Sequence, residues 1–141
     1  MKIDIKTESE VTAVLKKLAD SYADRNLKNV LSCFAPDSDV VLYGTGADEK
    51  RIGIEQIQAQ VERDWSQTES AAISFDWIST SGAETVAWAA ADGEFRFRAN
   101  GQHMSLPARM TFVLEKGNGA WRIVQSHFST PTSGQEEDQS F

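Results

Sequence analysis

The dipeptide Asn100-Gly101, set between two long β-rich segments, constrains the fold of this 141-residue chain more than any other feature. Asn-Gly favours the two-residue turn that joins antiparallel strands in a hairpin, because both residues tolerate positive φ. Further turns are predicted at Ser81-Gly82 and at Gly117-Asn118-Gly119. The second half of the chain is therefore predicted to be an antiparallel sheet, with strands near residues 73–77, 84–98, 106–116 and 121–129.

The first half of the chain carries helical patterns. Thr7 and Glu10 form a capping box ahead of apolar residues at helical spacing, which predicts a helix over 8–24. A short helix follows over 27–34, then a strand over 39–43, and Gly53 precedes a third helix. Helices followed by hairpins predict an α+β fold in which three N-terminal helices cover the sheet. Residues 1–130 are expected to form one domain, and 131–141 a disordered acidic tail.

Turn positions fix the strand register, so they predict which polar side chains meet. A turn at Asn100-Gly101 places Asp92 opposite Arg109, and a turn around Asn118 places Arg109 opposite His127. Directly opposed residues of antiparallel strands share a face. Since the remainder of that face is mostly apolar, we expect it to be the inner, helix-covered one. It also carries Trp88, Thr111 and Gln125, which are candidates for ligand binding.

Two interpretations of Asp92, Arg109 and His127 stay open. As a catalytic group, His127 would move a proton, Arg109 would hold an oxyanion or carboxylate, and Asp92 would orient the imidazole. Alternatively, Asp92 and Arg109 form a structural ion pair at the rim of the sheet, and His127 is a hydrogen-bonded core residue.

Three further residues are candidates for ligand binding. Tyr22 and Trp65 end the inner faces of the first and third helices, where they either close the pocket or are plain core. Glu49 lies in a glycine-flanked loop beside the first strand, where it is solvated, caps the third helix or faces the pocket mouth.

The opposite face of the same strands is strongly apolar. A face of this kind needs a cover, and a two-fold homodimer is the simplest one. The sequence therefore predicts a dimer surface made of Met110, Phe112, Leu114, Val124 and Phe128.

Composition narrows the possible partners. A net charge of −7 disfavours nucleic acid and anionic lipid as partners. The N-terminus lacks the apolar stretch of a secretory signal, so a cytoplasmic location is expected. Cys33 is the only cysteine, so a cysteine metal cage or an intrachain disulfide is excluded, and a buried, inert thiol is predicted.

Two stretches carry a family resemblance: GTGADEKRIGIEQI after the first strand, and PARMTFVLEKGNGAWRIVQSHFSTP near the end. With its R-x-T, G-x-W-R-I-V and H-F-S elements, the chain resembles the SnoaL-like branch of the nuclear transport factor 2-like superfamily. The resemblance implies a cone-shaped fold with a strongly bent sheet, a deep pocket between sheet and helices, and a homodimer through the outer sheet face. Relatives include polyketide cyclases, ketosteroid isomerase, scytalone dehydratase and a kinase association domain.

The resemblance also bears on single residues. Glu49, Arg109, Thr111 and His127 fit the pattern of this branch. Tyr22 lies where ketosteroid isomerases keep an oxyanion-binding tyrosine, but their general-base aspartate falls near Tyr43, which argues against that mechanism. Enzymes of the superfamily commonly need no metal or organic cofactor, so none is expected.

Three functions therefore remain open from the sequence. The first is acid–base chemistry on a small, largely apolar molecule, of isomerase, cyclase or dehydratase type. The second is binding of such a ligand without turnover. The third is a module whose dimer surface is its function.

Overall fold

A computed structural model describes residues 2–141 of the chain. The described part contains three helices: α1 Ile5–Ala23, α2 Leu27–Ser32 and α3 Ile54–Ser66. It contains six strands: β1 Val41–Tyr43, β2 Lys50–Ile52, β3 Ser70–Ala83, β4 Val86–Ala99, β5 Gln102–Gly117 and β6 Ala120–Ser129. None of these helices is long and apolar enough to cross a membrane.

The strands form one mixed sheet in the order β2-β1-β6-β5-β4-β3. Only β1 and β6 run parallel, and every other neighbouring pair is antiparallel. The predicted α+β class is thus confirmed. Strand β2 was not predicted, because its three residues lie within a polar, glycine-flanked loop.

Capping chemistry sets where α1 begins. Asp4 is the N-cap, and its Oδ1 accepts the backbone N–H of Thr7 at 2.7 Å. The predicted cap at Thr7 is therefore wrong, since Thr7 lies inside the first turn and its amide is the donor.

Two of the three predicted turns are confirmed. Asn100 and Gly101 have φ of 51° and 75°, as a two-residue hairpin turn requires, and Asn118-Gly119 forms a second turn of this kind. The turn predicted at Ser81-Gly82 is wrong, because both residues continue β3. The chain turns instead after Ala83, where Glu84 takes a positive φ of 53°.

The helices pack on the face of the sheet that the sequence analysis assigned to the outside. The core of that face includes Met110, Phe112, Leu114 and Phe128, with 0–9% of each residue exposed. The predicted dimer surface is therefore wrong for these residues. Apolar residues line both faces of these strands, and α1 and α3 cover the face that carries the larger continuous set.

The pairing of β5 with β6 also differs from the prediction. Asp92 pairs with Arg109 as predicted, but Arg109 pairs with Ser129, and His127 pairs with Thr111. One residue of this shift comes from the Asn118-Gly119 turn. The second comes from an irregularity between Val113 and Leu114, whose β6 partners are Gln125 and Ile123.

Cys33 is buried, as predicted. Burial raises the pKa of its thiol to about 11, so the thiol stays protonated at neutral pH.

Candidate functional site

A cavity of about 360 Å³ lies between the sheet and the helices. Most of its lining is apolar and comes from both layers, including Leu18, Val30, Phe34, Leu42, Val61, Ile73, Phe95 and Phe128. The lining also contains four polar side chains that are hydrogen-bonded to one another: Tyr22 from α1, Gln60 and Asp64 from α3, and Glu49 from the β1–β2 loop. The cavity thus has an apolar body and a polar end.

Asp64 is the centre of the polar end. The Tyr22 hydroxyl donates to Asp64 Oδ2 at 2.8 Å, and the Gln60 side-chain amide donates to Asp64 Oδ1 at 2.7 Å. Gln60 and Asp64 lie one turn apart on α3, so both side chains project from the same face of the helix.

Glu49 closes the network from the β1–β2 loop. Its Oε1 accepts a hydrogen bond from Gln60 Nε2 at 2.6 Å and lies 3.5 Å from Arg63 Nη2, while its Oε2 accepts the backbone N–H of Gly46. Arg51 Nε donates to Gln60 Oε1 at 2.8 Å. Arg51 therefore fixes the direction of the Gln60 amide, whose NH₂ group is turned toward the two carboxylates.

The C-terminal ends of α1 and α3 are tied together beside this network. Arg25, which has a positive φ of 56°, donates to the Trp65 carbonyl at 2.7 Å and to the Thr68 carbonyl at 2.9 Å. Trp65 Nε1 donates to the Tyr22 carbonyl at 3.2 Å. These contacts hold the Tyr22 hydroxyl within reach of Asp64.

Burial shifts the proton equilibria of both central groups. Burial raises the pKa of Asp64 above its ordinary value of 3.8, hydrogen bonds from Tyr22 and Gln60 oppose the rise, and the charge of Glu49 adds to it. Burial and the negative charge of Asp64 raise the pKa of Tyr22 well above its usual range. Tyr22 therefore remains a hydrogen-bond donor, and Asp64 takes up a proton more readily than an exposed aspartate.

Two of the predicted ligand-binding residues, Tyr22 and Glu49, line this cavity. Trp65 does not line it. Its half-buried ring packs against Tyr22 with ring centroids 5.9 Å apart, so it supports the tyrosine from behind. The ligand-binding roles of all three residues stay predictions.

The predicted catalytic trio lies elsewhere. Asp92, Arg109 and His127 share one face, as predicted, but it is the outer face of the sheet, and all three are exposed. Their predicted place inside the helix-covered pocket is wrong, because the helices cover the opposite face. Trp88, Thr111 and Gln125 lie on the same outer face and are exposed as well, so their predicted place in the pocket is also wrong.

The sequence analysis missed Gln60 and Asp64, although one signal was present. The buried face of α3 includes Ile57, Gln60 and Val61, and Gln60 is only 4% exposed. A glutamine and an aspartate that continue the spacing of an apolar stripe are expensive to bury unless they meet polar partners. That interruption of the stripe was the available sign of a polar site.

The arrangement suits recognition of a small organic molecule more than a metal ion. Among residues 2–141, no group of three or more His, Cys, Asp or Glu side chains is placed to hold a metal. An apolar cavity with a few convergent polar groups is typical of small-molecule sites.

Comparisons with known proteins agree with the fold. The model of the SnoaL-like domain family matches residues 11–133. No curated protein sequence is significantly similar to this chain. Among solved structures, a candidate calcium/calmodulin-dependent protein kinase II association domain from Xanthomonas campestris is 28% identical, with a TM-score of 0.77 over 88% of this chain and 87% of that one.

Two more distant structures share the fold. A nuclear transport factor 2-like superfamily protein from Salmonella enterica is 19% identical, with a TM-score of 0.84 over 95% of this chain and 97% of that one. A candidate scytalone dehydratase from Novosphingobium aromaticivorans is 10% identical, with a TM-score of 0.81 over 91% of this chain and 86% of that one. The predicted resemblance is thus confirmed: the chain belongs to the SnoaL-like domain family and has the nuclear transport factor 2-like fold.

Proposed function

We propose that this protein binds a small, largely apolar organic molecule in the cavity between the sheet and the helices. One observation carries the proposal: an apolar cavity of about 360 Å³ ends at the hydrogen-bonded group of Tyr22, Gln60 and Asp64. The apolar lining favours the body of the ligand by removing its surface from water. The polar end orients the ligand through hydrogen bonds to the polar group of the ligand.

Filling the cavity is expected to abolish this binding. Ala71 lies on β3, lines the cavity and shares a strand face with Ile73, so Ala71→Phe places a phenyl ring in the space of the ligand. Thermal unfolding with a library of small apolar compounds would measure binding, because a ligand at about 100 times its Kd adds about 2.7 kcal/mol to the free energy of unfolding.

The matched control is Ala13→Phe, because Ala13 is exposed on α1. Compounds that stabilise the wild type and Ala13→Phe, and lose their effect on Ala71→Phe, would support the proposal. Compounds that stabilise all three proteins equally would bind elsewhere and contradict it.

Acid–base chemistry is a second candidate, favoured by the raised pKa of Asp64 beside the cavity. Asp64 would accept a proton from a C–H or O–H group of the ligand, and would return it to another atom of the same molecule. Tyr22, which stays protonated, would hold the Asp64 carboxylate by its hydrogen bond before the first transfer and again after the second. Such an exchange amounts to cofactor-free isomerisation; loss of a hydroxyl as water would make it a dehydration.

The raised pKa of Asp64 predicts a pH dependence with a definite sign. Between pH 3.8 and the raised pKa, the Asp64 carboxyl group is protonated in the folded state but ionised in the unfolded state. As the pH rises through this range, the wild type therefore loses stability relative to Asp64→Asn. Urea unfolding of both proteins across this range measures the difference.

Asp48→Asn is a control of opposite sign for this measurement. Hydrogen bonding to Arg63 lowers the pKa of Asp48, so the stability contributed by Asp48 is lost as the pH falls. If the stability of the wild type relative to Asp64→Asn increased with pH, the assignment of Asp64 as a burial-shifted acid would be wrong.

We also propose that the protein forms a homodimer through the outer face of the sheet. Trp77 is 54% exposed and Trp88 is 42% exposed on this face. Asp92 and Arg109 are paired positions on adjacent strands, and within residues 2–141 neither belongs to an ion pair. A two-fold axis that passes close to this pair would bring Arg109 of one copy to Asp92 of the other. The similarity to a candidate association domain agrees with this role.

Sedimentation velocity at micromolar concentration tests the dimer. The wild type is expected to sediment as a dimer and Trp88→Arg as a monomer, because a buried, unpaired guanidinium is costly. Met104→Arg is the control, since Met104 is 47% exposed but lies on the opposite face of β5. A wild-type monomer would exclude both the dimer and a pure association function.

A further inference from the structure

The polar end of the cavity has hydrogen-bond acceptors to offer a ligand, while its side-chain donors are occupied. The Tyr22 hydroxyl donates its hydrogen bond to Asp64, and the Gln60 amide donates one hydrogen bond to Asp64 and one to Glu49. Arg51 is turned to Gln60 Oε1 and does not line the cavity. An ionised carboxylate accepts about four hydrogen bonds, and Asp64 receives two from side chains. Capacity to accept therefore remains at Asp64.

Of the two carboxylates at the polar end, only that of Glu49 has a cationic partner. Glu49 has Arg63 Nη2 at 3.5 Å and accepts the Gly46 amide, so its carboxylate is compensated. Asp64 receives two neutral hydrogen bonds, and within the described part of the chain no cationic side chain lies within ion-pairing distance of it. A half-buried charge of this kind is costly without a counter-ion.

The rest of the lining does not supply that counter-ion. The other lining side chains with free donors are Thr45, Gln67 and Arg96, and all three are exposed. Arg96 is paired with Glu94 at 3.0 Å. An anionic ligand would thus meet two carboxylates at the polar end, where neither Arg51 nor Arg63 lines the cavity. A carboxylate ligand, which the sequence analysis considered for Arg109, is therefore not expected in this cavity.

We propose that the ligand is an organic cation, a primary or secondary amine carried on an apolar body, whose ammonium group donates to Asp64. The apolar body occupies the space among Phe34, Phe95 and Phe128, and the ammonium supplies the charge that the protein lacks at Asp64. Charge-assisted hydrogen bonds are about twice as strong as neutral ones, so the charge also sets the preference among ligands of equal shape. This inference rests on the proposed ligand-binding function of the same cavity.

Three probes of one shape test the charge preference: 2-naphthylmethylamine, 2-naphthylmethanol and 2-naphthoate. Titration of the ¹⁵N-labelled 141-residue protein at neutral pH would give a Kd for each probe, and the amide shifts of α3 would report occupancy of the cavity. We expect the amine to bind at least about tenfold more tightly than the alcohol, and the carboxylate to bind most weakly.

Variants then assign the preference to Asp64. Asp64→Asn is expected to weaken amine binding about tenfold and to change alcohol binding less than about twofold. Asp20→Asn removes one exposed carboxylate from α1 and controls for net charge. If Asp64→Asn does not fold, the wild type suffices, because its affinity for the amine must fall as the pH drops through the pKa of Asp64.

The outcomes separate the two proposals. Equal or tighter binding of the alcohol or the carboxylate would overturn the cation inference and leave the ligand pocket intact. An amine preference that survives Asp64→Asn, or in the wild type does not fall at low pH, would also overturn it. Failure of all three probes to shift the cavity residues at millimolar concentration would overturn both.

Discussion

Replacing Phe112 by alanine is expected to lower the free energy of unfolding by about 3 to 5 kcal/mol. Phe112 is 1% exposed on β5, and its ring packs edge-on against Phe128, with centroids 5.7 Å apart, and Phe75, with centroids 6.4 Å apart. Removing the ring leaves a cavity between the sheet and the helices that neighbouring side chains fill only in part. Urea unfolding followed by circular dichroism measures the loss.

Thr111→Ala is the matched control, because Thr111 precedes Phe112 on the same strand and is exposed on the other face. Its replacement is expected to cost less than about 1 kcal/mol. If Phe112 lay on a dimer surface, as the sequence pattern had suggested, Phe112→Ala would change association more than the stability of the monomer. A cost below about 1 kcal/mol for Phe112→Ala would therefore contradict the assignment of the two faces.

Gly93→Ala is expected to cost at least about 3 kcal/mol, and to prevent folding if the sheet cannot relax. A Cβ atom at Gly93 would lie 1.7 Å from the backbone oxygen of Ser74 and 2.8 Å from its carbonyl carbon. Backbone atoms of a paired strand cannot turn away as a flexible side chain can. Strand β3 has a register shift between Phe75 and Trp77 at this point, so the close approach at Gly93 lies where the pairing is irregular.

Gly117→Ala provides the comparison, since a Cβ atom there meets nothing within 4 Å. We expect it to change the free energy of unfolding by less than about 0.5 kcal/mol. Thermal unfolding of both variants beside the wild type distinguishes a local clash from a general loss of glycine flexibility. A Gly93→Ala protein as stable as the wild type would show that β3 and β4 are not packed this closely.

The hairpins were the most predictable part of the fold, because their chemistry is local. Asn100-Gly101 fixed its turn and the pairing of Asp92 with Arg109 without reference to the rest of the chain. The pairing of Arg109 depended on the length of the turn at Asn118-Gly119 and on an irregularity in β6 that no turn residue marks. The choice of the inner face depended on where the helices pack, and a strand pattern with apolar residues on both sides does not contain that information.

The candidate site was less predictable for the same reason. Tyr22 and Glu49 were identified, but the residues that join them are Gln60 and Asp64 of α3, which continue the spacing of the apolar residues Ile57 and Val61. The network exists only because α1, α3 and the β1–β2 loop converge in three dimensions. Outward placement of His127 follows from the inverted faces, not from any local feature of β6.

A crystal structure of the protein soaked with 2-naphthylmethylamine, and separately with 2-naphthylmethanol, would show where the ligand binds. The proposed function predicts that a naphthalene ring lies inside the helix-covered cavity among Phe34, Phe95 and Phe128, with its polar group at Asp64. An empty cavity in both crystals, or a ring bound instead on the outer sheet face beside Trp77 and Trp88, would contradict it.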